Sequence, residues 1–208
     1  MRMPRLIVLP ILFVMLLSIQ LRAQPNQPEK TAAQVEVTAV KFGTQRYGRD
    51  TWLEVDVELL AKPGGRANAG EFVNRVRATL TVAFEATDAR GLKKNTFYRT
   101  SVEAIAIEGG ARSSLRFYLP PEVVKRDKLR TDADYYVVEL EAAGEPQPAA
   151  KPSASQKFTS LDSVKNFLTK AQTDAVLNDG LLMPQYLTPF AGDPQKPTPT
   201  LLRREYQR

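Results

Sequence analysis

The chain has 208 residues, 25% of them charged and 43% hydrophobic, a globular rather than a disordered composition. It has no cysteine, which excludes disulfides, thiolate metal sites and thiol nucleophiles, and no histidine, which removes the commonest general base and metal ligand. The formal net charge of +6 comes from basic and acidic residues interleaved along the chain, so no nucleic-acid patch forms.

Residues 1–23 have the layout of a secretory signal peptide. Met1 to Arg5 is a basic start, Leu6 to Leu21 is an uncharged apolar run interrupted by Pro10, and the small Ala23 follows. Sixteen residues are short for a membrane span, which needs ~20. The expectation is an exported protein, periplasmic or associated with the cell surface or outer membrane. Setting aside Arg2, Arg5 and Arg22 leaves a net charge near +3. Residues 24–33 read as a polar, flexible leader.

Residues 34–143 read as an antiparallel β-sandwich of immunoglobulin-like kind. Gln34 to Gly43 is the first strand, with Val35 and Val37 on one parity and Val40 and Phe42 on the other. Such a phase change marks a bulge or a strand that leaves one sheet for the other. Thr51 to Leu60 follows, burying Leu53, Val55, Val57 and Leu59 and turning Glu54, Asp56 and Glu58 outward. Lys62 to Gly70 is a glycine-rich loop, read as a hairpin connection because no Lys-Ser/Thr follows Gly64-Gly65 to make a phosphate cradle.

The central strand, Arg75 to Ala86, alternates most cleanly. Val76, Ala78, Leu80, Val82, Phe84 and Ala86 face the core, while Arg75, Arg77, Thr79, Thr81, Ala83 and Glu85 face water. Asn95 to Ile107 is a long fourth strand that could bend between sheets. Gly109-Gly110 turns into Ala111 to Leu119, with Leu115, Phe117 and Leu119 inside and Tyr118 outside. Pro120-Pro121 ends that strand, and Glu122 to Asp132 holds a single helical turn over Val123 and Val124. The sixth strand, Asp134 to Ala142, buries Tyr136, Val138 and Leu140.

Residues 144–157 are a Pro/Ala linker by composition. An amphipathic helix is expected over 158–180, with Leu161, Val164, Leu168 and Ala171 as its stripe and Phe167 on the flank. Thr159 or Ser160 can cap it, and Gly180 can close it. Residues 181–208 form an extended tail with prolines at 184, 189, 194, 197 and 199. Its apolar residues, Leu182, Tyr186 and Phe190 among them, are too many for an idle tail. The helix is expected to dock on the sandwich, and residues 184–208 to contact another molecule.

Trp52, the only tryptophan, shares parity with the acidic row of its strand. With Tyr47 or Tyr98 it could form a sugar platform or a protein contact; its alternative role is to cover the rim of the core. Glu54, Asp56 and Glu58 fan outward from a flat strand rather than converging on an ion, so no metal site is read there. Cross-strand pairing with Arg75 or Arg77 is the expected use of that row. No cofactor is indicated.

Asp132-Ala133-Asp134-Tyr135-Tyr136-Val137-Val138 resembles the corner of immunoglobulin-like domains. Asp132 takes the Asp position, Tyr136 the corner tyrosine and Val138 the place of the second cysteine, with Asp134 where a small residue is common. The layout, the Val35-Glu36-Val37 and Trp52 to Val57 runs and the cysteine-free composition also resemble a group of small exported immunoglobulin-like proteins. Those are encoded with type IV pilus components in verrucomicrobial gut bacteria. The resemblance implies a non-catalytic part of an envelope or pilus assembly whose partners are other envelope or pilus proteins. The alternative is a carbohydrate-binding or adhesion module of the cell surface.

Overall fold

Each stretch with two-residue alternation is a strand in the computed structural model, which describes residues 33–62, 64, 71–87 and 90–203. The expected signal peptide, the leader up to residue 32 and residues 204–208 lie outside the described residues. The six main strands are β1 (Gln34–Tyr47), β2 (Asp50–Lys62), β3 (Phe72–Thr87), β4 (Lys93–Glu108), β5 (Arg112–Leu119) and β6 (Tyr135–Ala142). Two-residue strands β7 (Glu145–Pro146) and β8 (Met183–Pro184) complete two antiparallel sheets. Their orders are β1-β2-β5-β8 and β4-β3-β6-β7.

The first sheet holds the β1-β2 hairpin and the second the β3-β4 and β6-β7 hairpins, while β5 returns to β2 and β6 to β3. That is the strand arrangement of an immunoglobulin-like sandwich. The core lies between the sheets, built from Val55, Val57 and Leu59 of β2, Leu80, Val82 and Phe84 of β3, Phe117 of β5 and Val138 of β6. Disulfides are unnecessary with a core of this size. The phase change in β1 is a bulge, where the register on β2 shifts between Val37 and Ala39.

Several expectations are corrected. β2 and β3 belong to different sheets and so form no hairpin; residues 63 and 65–70 of the glycine-rich loop between them lie outside the described residues. The long strand β4 stays paired with β3 from Lys93 to Glu108 and does not bend across. Residues 144–157 do not hang free: β7 pairs with β6, Gln147 N–H donates to Leu140 O (2.8 Å) and Ala154 bridges Val137. Proline is tolerated there because an edge strand need not donate on its outer side.

Helix α1 (Pro121–Arg126) is the expected short turn, and α2 spans Leu161–Asp174. Ser160 and Ser163 form a reciprocal capping box at the start of α2. A 3-10 turn, Ala175–Asn178, follows, and Gly180 takes the positive φ (75°) that ends the segment. The helix docks on the outer face of β3, β4 and β6, as expected. Phe167 is the centre of that contact rather than its flank, and Leu161 is exposed. Phe167 and Ala171 cover Ala83, Phe97 and Val137. Ala83 and Thr81 are therefore fully buried although they alternate away from the core.

Candidate interaction surface

Residues 181–203 fold back onto the sandwich on both sides. On the β1-β2-β5 side the segment after β8 carries Phe190 into a cage of aromatic rings. Phe190 stacks on Tyr118 (centroids 4.7 Å) and meets Trp52 (5.8 Å) and Tyr47 (6.2 Å) edge-on. Gln185, itself buried, donates from Nε2 to Phe190 O (2.9 Å) and Lys196 O (3.1 Å), fixing the loop. Lys196 then reaches Glu54 and Gln45 on the sheet.

The acidic row of β2 is thus partnered on its own side of the sandwich: Glu58 with Lys41 of β1, Asp56 with Arg116 of β5 (3.1 Å) and Glu54 with Lys196 of the returning segment. Pairing with Arg75 or Arg77 is corrected, since those arginines lie on the opposite outer face. Burial pushes the Asp56 carboxyl up, with Arg116 opposing it. Burial, with the Glu54 carboxylate beside it, also pushes the Tyr118 hydroxyl up.

The other aromatics are placed individually. Tyr47 is exposed and Trp52 half-buried beneath Phe190, so the flat strip a sugar would need is occupied by the chain's own tail. Tyr98 is fully buried, because β4 turns it into the sandwich against Phe84 (6.0 Å). Its hydroxyl donates to Asp127, which Arg126 also holds (2.9 Å). Leu182 is in the core. Tyr186 packs against the core and meets Arg203 in a cation–π contact (5.9 Å). Leu80, Val82, Phe84 and Val138 are core residues, and Tyr136 is half-buried against Phe42 (5.6 Å). Among the described residues the Tyr136 hydroxyl makes no corner hydrogen bond. Asp134 cross-links that corner instead, its carboxylate accepting from Glu85 N–H (2.8 Å), Lys157 (2.9 Å) and Arg130.

On the β4-β3-β6 side lies a groove of about 830 Å³ between the C-terminal end of α2 and the returning tail. Its floor is polar. Arg77 spans Glu103 and Glu141 (3.3 Å each), Arg99 meets Glu139 (3.1 Å), and Thr79 donates to Ser101 (3.1 Å). Its rim is apolar, with Val176 68%, Leu187 51% and Leu202 39% exposed. Leu177, next to Val176, is 87% exposed. Three exposed aliphatic side chains around one groove are what a protein contact uses, since apolar patches rimming polar ground mark interaction sites.

The sequence signal for this rim is slight. Val176 and Leu177 follow the helical stripe directly and lie off its face once α2 tightens into the 3-10 turn.

A crystal structure from Akkermansia muciniphila, a verrucomicrobial gut bacterium, matches this fold with a TM-score of 0.65. The match covers 88% of this chain and 100% of that one, at 13% sequence identity. At that identity the likeness is one of fold. No family model and no curated protein matches the chain.

Proposed function

We propose that the protein is a non-catalytic, exported interaction module, a component of a cell-envelope or type IV pilus-like assembly. The observation that carries the reading is the exposed aliphatic rim of Val176, Leu187 and Leu202 around the polar groove on the β4-β3-β6 sheet. The fold match to an A. muciniphila structure agrees with it. A fold alone does not choose a function, so the reading rests on the rim. The carbohydrate reading loses its support where Phe190 covers Trp52.

The test is a capture experiment from the native envelope fraction, comparing the unaltered protein with Val176→Asp combined with Leu187→Asp. Both side chains are exposed, so the double variant should melt within a few degrees of the parent. It should lose most of the envelope protein that the parent retains. Undiminished capture by the double variant would sink the assignment of this rim.

A further inference from the structure

Three connections share one end of the sandwich. The 120–134 connection leaves β5 opposite Leu53 of β2 and enters β6 opposite Ala83 of β3, so it crosses from one sheet to the other there. The β1-β2 turn, with Tyr47 opposite Asp50, and the β3-β4 turn, with Thr87 opposite Lys93, lie at the same end. Among the described residues of 46–50, 85–94 and 120–134, nine basic side chains are exposed against three acidic ones, Asp50, Glu122 and Asp132. The other acids there lie deeper and hold cations above them. In each pair the carboxylate is the more buried partner and the cation stands outside: Lys93 over Glu85, Arg126 over Asp127 and Arg130 over Asp134. That difference in depth is why charges that interleave in sequence give a basic end in three dimensions.

Two turn tips set apolar groups among these cations. Leu92, 62% exposed, sits on the β3-β4 turn between Arg90 and the Lys93-Lys94 pair. Tyr47, 57% exposed, sits on the β1-β2 turn between Arg46 and Arg49. A soluble anion uses the cations alone. Aliphatic and tyrosine tips flanked by Lys and Arg match the boundary of a bilayer, where apolar groups reach the acyl edge while cations stay with the headgroups. The opposite end is different. There, among the described residues, exposed Glu71, Glu108 and Glu145 stand against exposed Lys62, Arg75 and Arg112, which leaves no surplus of either sign. A second copy stacked head to tail would therefore offer the basic end little to bind.

We propose that this end docks on a bilayer surface rich in anionic headgroups, with Leu92 and Tyr47 at the acyl boundary and Arg49, Lys94 and Lys128 among the lipid phosphates. The proposal goes beyond the interaction reading and uses none of the residues that line the groove.

The absence of native cysteine makes a local test direct. The full chain carrying Leu92→Cys is labelled with an environment-sensitive dye. It is mixed with vesicles of phosphatidylcholine alone, or of phosphatidylcholine and phosphatidylglycerol in equal parts. The emission should shift to the blue on the anionic vesicles and stay unchanged on the neutral ones. The same dye at Glu108→Cys, at the far end of β4 and about 50 Å away, should not respond to either. A response at both ends, none at Leu92, or one as large on neutral vesicles overturns the proposal. A shift without lipid that grows with protein concentration also overturns it, in favour of a second copy at this end.

Charge gives a second reading. A Lys or Arg near an anionic leaflet strengthens binding about fivefold. Arg49→Glu, Lys94→Glu and Lys128→Glu together, in the Leu92→Cys chain, should therefore raise the lipid needed for the shift roughly a hundredfold. An unchanged lipid requirement overturns the proposal. Salt tests the same point without altering the cations: the Leu92→Cys response should fall steeply as ionic strength rises, and a salt-independent response overturns the proposal. None of these results touches the capture experiment on Val176 and Leu187, so the two readings fail separately.

Discussion

Asp134 holds one corner of the molecule through its carboxylate. Burial pushes that carboxyl up, but hydrogen bonds from Arg130, from Glu85 N–H and from Lys157 outweigh it and hold the pKa lowered to about 2. A depressed pKa means stability that is present above the ordinary value of 3.8 and lost as pH falls through about 2. Stability should therefore fall between about pH 4 and 2, and Asp134→Asn should flatten that part of the profile while weakening the fold at neutral pH. Urea melts across the range check this. A variant with the same acid slope as the parent would show that the corner is held otherwise. The sequence pattern marked this corner by Tyr136. An aspartate that accepts from Glu85 N–H and Lys157, far off in sequence, as well as from Arg130, leaves no periodic trace.

Burial on β3 divides more finely than parity. Leu80→Asp puts a carboxylate between the sheets and should cost several kcal/mol of a total of about 5–15. Ala83→Asp should be comparably damaging although it lies on the outer face, because α2 covers it completely. Thr79→Asp, on the open floor of the groove, should change stability by less than about 1 kcal/mol. Equal damage at Thr79 and Ala83 would contradict the placement of α2.

At the scale of elements, strands were legible because a half-buried strand writes its burial every second residue, as Leu53, Val55, Val57 and Leu59 do. The helical stripe was legible in part: Ala171 lies on it and is buried, but Leu161 is exposed and Phe167, read as its flank, is the centre of the contact. Its destination was not. Ala83 and Thr81 are small residues that read as solvent-facing until something lies on them. Proline content made residues 144–157 read as a linker, yet their backbone follows β6 as an edge. The Phe190 cage was equally hidden, because Tyr47, Trp52 and Tyr118 lie on three strands that only the sheet brings together.

That cage can be watched directly. Trp52 is the only tryptophan, so its emission reports whether Phe190 covers it. Phe190→Ala should shift that emission to the red and cost roughly 2–4 kcal/mol, at the lower end of a buried Phe→Ala change or just below it. Unchanged emission would mean that the loop does not hold Trp52 dry in solution.

Taken as a whole molecule, the sandwich is wrapped by its own C-terminal third. α2 covers one outer face, the Phe190 loop seals the other, and residues 200–202 bind the edge of β4. A groove with an aliphatic rim is left open beside α2 and the returning tail, and there the account puts the protein's contact with other envelope proteins. A photo-crosslinking residue at Val176, irradiated in native cells, tests this most directly. The account predicts covalent adducts to another envelope protein from Val176 and none from Lys41, an exposed site on the opposite sheet. No adduct from Val176, or equal adducts from both sites, would contradict it.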